Sequence, residues 1–217
     1  MEIKIVRKIL EANDFAALKI REHLREKHQR MINFMSAPGA GKTAFLEKLI
    51  PVLLKHELKV GVIEGDITTT CDADRLKPLG IPVVQINTEF FGGDCHLTAN
   101  TVFGALKEFE DIRLNIILLE NVGNLVCPAE FDTGSDLNIV LWSVTEGEDK
   151  PLKYPLMFQK ANWVLITKVD LQDAVKADIK LMYENLRKIN PSLKIFEISS
   201  KTNFNIGKLA QEIVNTN

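Results

Sequence analysis

The sequence contains little cysteine, almost no net charge and no long hydrophobic run. Its three cysteines, Cys71, Cys95 and Cys127, are too few and too widely spaced for a disulfide framework, so we expect reduced thiols. The 27 Lys and Arg residues nearly balance the 29 Asp and Glu residues, which argues against a nucleic-acid-binding surface. No segment is apolar over the length that a bilayer requires, and the N-terminus lacks the apolar core of a secretion signal. We therefore expect a cytoplasmic protein that binds neither nucleic acid nor membrane.

Histidine and cysteine are also sparse at the N-terminus, where no tract rich in either residue predicts a metal store. Residues 2–28 are highly charged, and their uneven apolar stripe predicts one or two helices lying on the domain, with Asn13-Asp14 as a break or a second N-cap. An arm that docks a partner is the alternative. The length of 217 residues suits a single domain. We therefore divide the chain into an N-terminal helical segment, residues 1–28, and one domain, residues 29–217.

A loop of small residues separates the first predicted strand of this domain from its first helix. Residues 36–43 are Ser-Ala-Pro-Gly-Ala-Gly-Lys-Thr, which matches a phosphate-binding loop with Ser36 in place of the first glycine. In such a loop, backbone amides and the helix N-terminus bind phosphate oxygens, the lysine neutralises the β- and γ-phosphates, and the threonine hydroxyl is a ligand for Mg²⁺ (magnesium). A chance Gly-Lys-Thr in an ordinary strand–turn–helix is the alternative. The predicted nucleotide contacts here are Gly39, Ala40, Gly41, Lys42 and Thr43.

Strand patterns alternate with helical patterns along the domain. The predicted strands are 31–35, 58–64, 82–86, 114–120, 137–144, 163–167 and 194–198, and the predicted helices are 44–50, 72–76, 95–109, 171–189 and 206–214, with a glycine-containing loop at 91–94. This alternation predicts an α/β fold, a single P-loop NTPase domain with a mostly parallel sheet and helices on both faces. Such sheets bind their ligands at the C-terminal ends of the strands.

Two carboxylates, Asp66 and Glu120, end apolar strands of this sheet. Since parallel strands end at the same edge, we expect both side chains near Thr43, where they bind Mg²⁺ or orient a water. The run Glu120-Asn121-Val122-Gly123 resembles the Asp-x-x-Gly switch of GTPases, with a longer carboxylate that reaches the metal through a water. The predicted catalytic residues are therefore Lys42, Asp66 and Glu120.

The strand 163–167 leads into Thr167-Lys168-Val169-Asp170, which resembles the Asn-Lys-x-Asp motif of GTPases. Guanine presents two donors, N1–H and the 2-amino group, to one carboxylate, and adenine has neither. A hydrogen bond to a carboxylate is worth roughly 1.5–3 kcal/mol, so an Asp here selects guanine. Residues 199–202 resemble the Ser-Ala-Lys motif that supports the base. The predicted base contacts are Thr167, Lys168, Asp170, Ser200 and Lys201, and together the motifs predict a GTPase.

A second group of residues has the chemistry of a metal site. Cys95 and His96 stand at a predicted helix start, and Cys127 lies in the stretch that should move when the γ-phosphate is lost. Thiolates and imidazole suit Zn²⁺ and Ni²⁺, whereas a buried Cys beside an incidental His is the alternative. Three ligands leave the metal shell incomplete, so we expect a two-fold dimer that brings six ligands to one interface. Cys71, beside Asp72, is not expected to be a ligand.

These motifs resemble those of the HypB family, the nickel-insertion GTPases of NiFe-hydrogenase maturation. The resemblance covers nearly the whole chain from about residue 30, and its segments are 36–43, 64–66, 72–75, 93–97, 120–128, 150–155 and 167–170. It implies a SIMIBI-type P-loop fold, slow GTP hydrolysis, and a GTP-dependent homodimer that binds Ni²⁺ or Zn²⁺ at its interface through Cys95, His96 and Cys127. It also implies metal delivery to the hydrogenase large subunit and a zinc-bearing nickel chaperone as partner. Some family members carry an N-terminal Cys-rich or His-rich motif, and this sequence has neither.

Two lysines, Lys150 and Lys153, follow the acidic run at residues 146–149. We expect one of them, preferably Lys153, to reach the nucleotide or the partner subunit. A solvated charged loop is the alternative.

The interpretation that unites these features is a nucleotide-gated metal donor that uses GTP and Mg²⁺. Its nearest rival is the urease-accessory nickel GTPase, in which a proline separates the metal-binding Cys and His that are adjacent here. A metal sensor or store with a purely structural nucleotide site is a second rival. The third is a small-molecule kinase that uses the same phosphate loop, against which the guanine selectivity of Asp170 argues.

Overall fold

Seven strands form a single parallel sheet at the centre of the protein. The computed structural model describes residues 4–66, 71–89 and 95–216. The strands are β1 (Arg30–Ser36), β2 (Val60–Asp66), β3 (Val83–Asn87), β4 (Ile116–Glu120), β5 (Leu137–Ser143), β6 (Trp163–Thr167) and β7 (Lys194–Glu197). They are ordered β3-β2-β4-β1-β5-β6-β7, and every ladder between them is parallel. The predicted α/β fold is therefore confirmed.

Helices follow the strands and cover the sheet. In the described part of the chain they are α1 (Lys4–Glu26), α2 (Lys42–Lys55), α3 (Cys71–Leu76), α4 (Ala99–Lys107), α5 (Cys127–Glu130), α6 (Lys150–Lys153), α7 (Pro155–Lys160), α8 (Gln172–Val175), α9 (Ile179–Ile189) and α10 (Ile206–Asn215). Among the helices of the described ranges, none has the length and apolar character needed to cross a membrane.

Alternate residues of the strands pack into cores on opposite faces of the sheet. Ile32 and Leu118 pack with α2 and α10 on one face. Met31 and Ile117 pack with α1 and α4 on the other, where Trp142 and its neighbours pack with α7 and α9 further along the sheet. This two-residue period follows from strand geometry, and coverage on both faces explains why every residue of β4 is buried.

One predicted helix, 171–189, is wrong over its first part. The chain forms a 3₁₀ turn at Val169–Leu171 and the short α8, and a regular helix begins only at Ile179. Lys176 ends α8 in the left-handed region with φ 56°, and Asp178 accepts a hydrogen bond from the amide of Leu181 as the N-cap of α9. The helical spacing of apolar residues continues through residues 171–189, so the sequence pattern does not reveal this break.

Two further expectations concern helix boundaries. The helix predicted over 95–109 begins at Ala99, because Thr98 caps it and leaves Cys95 and His96 in the preceding loop. The expected break at Asn13-Asp14 is absent, since α1 is a continuous helix of 23 residues. The glycine-containing loop expected at 91–94 lies outside the described residues.

We expect Gly134→Ala to lower the free energy of unfolding by about 2 kcal/mol. Gly134 has φ 75°, and an added Cβ would lie 2.7 Å from Ile20 Cβ and 2.8 Å from the Ala17 carbonyl oxygen, both on α1. Equilibrium urea unfolding measures the loss. Gly104→Ala in α4 is the matched control, because an added Cβ there meets no described atom within 4 Å and should stabilise the helix by about 0.5–1 kcal/mol. Equal stability of Gly134→Ala and wild type would contradict the close packing of α1 on this loop.

Candidate nucleotide and metal site

The predicted phosphate-binding loop joins the C-terminal end of β1 to α2. Gly39 and Gly41 have φ of 75° and 101°, left-handed values that glycine adopts without strain. β1 lies between β4 and β5, at the point where the order of the strands reverses, which is where open parallel sheets bind ligands. The N-terminus of α2 directly follows Gly41 and contributes a partial positive charge to this position.

The side chain of Lys42, the first residue of α2, extends to Ser36 at the start of the phosphate-binding loop. Lys42 is only 9% exposed, and its Nζ donates to Ser36 Oγ at 3.1 Å. Burial lowers the pKa of Lys42, because an ammonium group loses hydration there. An anion at this position would restore that lost stabilisation, which is the role of this lysine in a phosphate-binding loop. The serine that replaces the first glycine is thus the partner of the lysine, a contact that the sequence pattern did not predict.

Three carboxylates lie on the sheet face that α2 covers. Glu64 and Asp66 share the two-residue period of Val62, which packs with α2, and Glu64 pairs in register with Glu120 on the neighbouring strand. Glu120 Oε1 accepts a hydrogen bond from Thr43 Oγ1 at 2.7 Å. The predicted approach of Glu120 to Thr43 therefore occurs as a direct contact.

Burial raises the pKa of two of these carboxyl groups. Glu64 is 1% exposed and Glu120 is 3% exposed, and within the described residues the Oε2 atom of each has no hydrogen-bond partner. Burial, together with repulsion from Glu120, raises the pKa of Glu64 to about 8. Burial also raises the pKa of Glu120 to about 7, although the positive charge of Lys42 acts in the opposite direction. Hydroxyl and carboxylate oxygens are the ligands that Mg²⁺ prefers, so Thr43 and these side chains fit that ion. Glu64 was not among the predicted site residues, although its position two residues before Asp66 places it on the same face.

The predicted base-binding residues surround a cavity beside the loop. Thr167 Oγ1 donates to the Ala40 carbonyl oxygen at 2.8 Å, and Lys168 Nζ donates to the Gly39 carbonyl oxygen at 2.7 Å. These two bonds tie the end of β6 to the phosphate-binding loop. The cavity has a volume of about 250 Å³, and its lining residues are Ala40, Gly41, Ala44, Thr167, Lys168, Asp170, Leu171, Ser200 and Lys201.

Asp170 is oriented in this cavity by a residue that the sequence pattern did not single out. Its Oδ1 accepts a hydrogen bond from Ser199 Oγ at 2.5 Å, and the same hydroxyl oxygen accepts one from the amide of Thr202 at 3.2 Å. The signal was available, because Ser199 begins the segment compared with the Ser-Ala-Lys motif. The carboxylate is thus held in place at the wall of the cavity.

The three predicted metal ligands come together in one cluster. Cys95, His96 and Cys127 each offer one ligand atom, and these atoms lie within 4.8 Å of one another. The two Sγ atoms are 2.8 Å apart, and both cysteines are free thiols. The imidazole of His96 stacks on Phe131 with ring centroids 3.8 Å apart. Two sulfurs and an imidazole nitrogen at this spacing fit Ni²⁺ or Zn²⁺.

The thiols of this cluster influence each other. The contact with Cys95 and partial burial raise the pKa of Cys127, so metal binding through this thiol has to displace its proton. Cys71 is exposed at the start of α3, outside the cluster of described residues.

A short segment connects the nucleotide side of the site to the metal cluster. It leaves β4 after Glu120 and begins α5 at Cys127. Asn121 anchors its start, because its Nδ2 donates to Asn33 Oδ1 in β1 at 3.2 Å. Gly123 lies against Pro38 of the phosphate-binding loop, where an added Cβ would come within 3.1 Å of Pro38 Cα. One segment therefore contacts the phosphate-binding loop and carries Cys127, one of the three predicted metal ligands.

The two lysines expected near the nucleotide lie on α6. Lys153 is exposed and forms an ion pair with Asp149 at 2.5 Å, and Lys150 Nζ lies 3.9 Å from Glu146 Oε2. Burial raises the pKa of Glu146, while Lys150, Lys168 and Lys42 act in the opposite direction. The α6 turn is thus linked electrostatically to the nucleotide side through Glu146. A contact of Lys153 with nucleotide or partner stays a prediction.

Comparison with known proteins identifies the family of this chain. A family model for the CobW/HypB/UreG nucleotide-binding domain matches residues 30–197. The hydrogenase/urease maturation factor HypB of Helicobacter pylori is 41% identical over 204 residues, which is 92% of this chain and 82% of that protein. The chain belongs to the HypB family. The resemblance found in the motifs is therefore confirmed, and with it a nucleotide-binding domain.

Solved HypB structures have the same fold. The crystal structure of HypB from Helicobacter pylori in complex with nickel matches with a TM-score of 0.87 and 37% identity, over 94% of each chain. The HypB structure from Archaeoglobus fulgidus matches with a TM-score of 0.86 and 38% identity, over 94% of this chain and 98% of that one. The HypB fold thus extends over nearly the whole chain.

We expect Glu64→Gln to reduce the pH dependence of stability in the nucleotide-free protein. Native Glu64 holds its proton up to about pH 8, whereas the unfolded chain releases it near the ordinary value of 4.5. The native state therefore binds more protons between these values, and the free energy of unfolding falls as pH rises through that interval. Gln stays neutral, so from pH 5 to pH 8 the variant should gain about 3.5 kcal/mol relative to wild type.

Urea unfolding at several pH values measures this difference. Glu184→Gln, an exposed site on α9, is the control and should keep the wild-type pH dependence. If the free energy of unfolding changes with pH equally in Glu64→Gln and in wild type, Glu64 is ionised in the native protein.

Proposed function

We propose that this protein is a GTP-hydrolysing metallochaperone that delivers nickel during the maturation of NiFe-hydrogenase. The observation that carries the proposal is the segment from Glu120 to Cys127, which contacts the phosphate-binding loop and ends in the thiol and imidazole cluster. A relative named hydrogenase/urease maturation factor and a HypB crystal structure in complex with nickel support the same function.

The nucleotide side binds GTP through three parts of the chain. Loop amides, the N-terminus of α2 and Lys42 bind the phosphates. Asp170 accepts hydrogen bonds from the two guanine donors, while Thr167 and Lys168 fix the base cavity to the loop through Ala40 and Gly39. The base cavity and the phosphate-binding loop are therefore positioned as one unit.

The residues at the strand ends support slow hydrolysis to GDP and phosphate. Thr43, Asp66 and Glu120 would hold Mg²⁺, which when bound neutralises charge on the phosphates. Lys42 binds the β- and γ-phosphate oxygens. Glu120 and Glu64 present buried carboxylate oxygens on the same face, where they can accept hydrogen bonds from a water and orient it.

Among the described residues, the metal side supplies too few ligands for a closed site. Cys95, His96 and Cys127 provide three, whereas Ni²⁺ and Zn²⁺ sites commonly have four. A second copy of the chain, related by a two-fold axis, would bring a second set of three to the same interface. We therefore infer a homodimer, favoured by GTP, that shares its nickel or zinc between subunits.

GTP hydrolysis is coupled to metal release through the connecting segment. When the γ-phosphate leaves, the contacts of Glu120 and Gly123 with the phosphate side change, and Cys127 lies on the same segment. A coupling of this kind is reciprocal, so bound nickel changes GTP affinity by the factor by which GTP changes nickel affinity. Hydrolysis thus lowers the hold of the dimer on its metal.

The partners follow from this function. The metal arrives from a zinc-bearing nickel chaperone and passes to the hydrogenase large subunit, in the cytoplasm. Delivery to urease is the second candidate, because one relative carries the name hydrogenase/urease maturation factor. Nickel transfer from the loaded protein to each purified apo-enzyme distinguishes the two acceptors.

We expect Asp170→Asn to weaken GTP binding by about 10- to 100-fold, the equivalent of a lost charge-assisted hydrogen bond pair. Affinity for ATP should not fall, since adenine offers no such donors. Isothermal titration with both nucleotides, followed by single-turnover hydrolysis of GTP, measures the effect. Asp173→Asn, exposed on the neighbouring α8, is the matched control. A variant with unchanged GTP affinity would exclude Asp170 as the guanine-selecting residue.

We expect Cys127→Ala to lower nickel affinity at least tenfold and to make GTP affinity independent of nickel. The variant removes one of three ligands and with it the link between the metal and the connecting segment. Chelator competition gives nickel affinity, and calorimetry with a GTP analogue gives the coupling. Cys71→Ala, which removes an exposed thiol outside the cluster, should behave as wild type. The coupling is disproved if Cys127→Ala binds nickel normally and wild-type GTP affinity does not depend on nickel.

A further inference from the structure

Asn13 makes two long-range hydrogen bonds from the middle of α1. It is 4% exposed, although asparagine is a poor helix former that competes with the helix for hydrogen bonds. Its Nδ2 donates to the Asp132 carbonyl oxygen at 2.8 Å, and its Oδ1 accepts from the amide of Ala99 at 2.8 Å. One side chain therefore bonds to the backbone of two segments that are distant in sequence.

These are the two segments that carry the thiol and imidazole ligands. Ala99 begins α4 directly after the loop that holds Cys95 and His96. Asp132 follows Phe131, whose ring stacks on His96, and that loop leads back through α5 to Cys127. Asn13 thus ties the segment with two ligands to the segment with the third.

Other contacts fix α1 on the second segment. Arg21 Nη2 lies 2.8 Å from both carboxylate oxygens of Asp132. Gly134 packs so closely on Ile20 and Ala17 that a Cβ would not fit. These contacts hold the 132–134 loop, whereas Asn13 bonds to both that loop and the start of α4. The Asn124 Nδ2 bond to the Cys95 carbonyl oxygen at 3.3 Å and the His96–Phe131 stack also join the two segments, and Asn13 adds a tie to both from α1.

We propose that Asn13 is a positioning residue that sets the spacing of the thiol and imidazole ligands at Cys95, His96 and Cys127. The proposal rests on the proposed metal function and extends it to α1, a helix outside the nucleotide-binding core. Loss of a group that orients metal ligands typically costs 10- to 100-fold in metal affinity. Asn13 acts through the backbone of the two loops, without touching the metal.

The test compares Asn13→Ala with a matched control, Asn185→Ala. Asn185 is also 4% exposed on a helix, α9, and its Nδ2 donates to the Glu148 carbonyl oxygen at 2.9 Å in another part of the domain. Both variants should lose stability. Only Asn13→Ala should weaken Ni²⁺ binding, by 10-fold or more in chelator competition, and change the thiolate-to-nickel absorption bands. GTP affinity measured without metal should stay at the wild-type value in both.

A second variant keeps the test decisive if Asn13→Ala does not fold. Asn13→Ser keeps a small polar side chain without adding a buried charge, but its hydroxyl is too short to bond to both backbone groups, so nickel affinity should fall as in the alanine variant. Wild-type nickel affinity and unchanged absorption bands in either folded Asn13 variant would overturn the proposal, as would an equal loss in Asn185→Ala.

Cys127→Ser separates this proposal from the proposed function. If wild type binds nickel with thiolate bands and Cys127→Ser does not, the metal function holds and the Asn13 variants decide the positioning role. If Cys127→Ser binds nickel as wild type does, the metal function itself fails, and the role proposed for Asn13 fails with it.

Discussion

The hydrogen bond from Thr43 to Glu120 joins the parts of this protein that its proposed function requires. It exists because β4 and β1 are neighbouring parallel strands whose register ends with Glu120 beside Phe34, just before β1 enters the phosphate-binding loop. In this buried setting a hydrogen bond responds strongly to added or removed charge, since the local dielectric is low. The chain that leaves Glu120 next passes the phosphate-binding loop and then reaches Cys127. A single register thus places the phosphate side and one metal ligand on the same segment.

The same edge of the sheet concentrates buried ionisable groups that folding alone would not favour. Lys42, Glu64 and Glu120 lose hydration on the face covered by α2, and the described structure leaves carboxylate oxygens of both glutamates without hydrogen-bond partners. Such groups destabilise a native state unless a partner compensates them. In the proposed function, phosphates and a divalent cation would provide that compensation, and binding them would stabilise the protein at its least favourable region.

Helix α1 also contains a residue that is locally unfavourable but makes long-range contacts. An asparagine within a helix is unfavourable by propensity, and Asn13 is retained in α1 with two bonds to distant backbone groups. The proposed metal ligands lie on a loop or at the first residue of a short helix, where the local backbone does little to fix them. Their spacing has to come from elements packed around them, and α1 is one of these.

Local patterns in the sequence determined the strands of the sheet, the phosphate-binding loop, the base motif and the three metal-binding residue types, because each depends on residues close together in the chain. The HypB family could be named from these motifs alone. Asn13-Asp14 illustrates the limit, since its local signal predicts a helix break and its partners, Asp132 and Ala99, are far away in sequence. Likewise, the break before α9 is hidden by a continuous apolar period. Glu64 becomes a site residue only when parallel register sets it beside Glu120 under α2. The tertiary structure alone decided these features, because strand register, burial and side-chain contacts across the fold arise only when distant segments pack together.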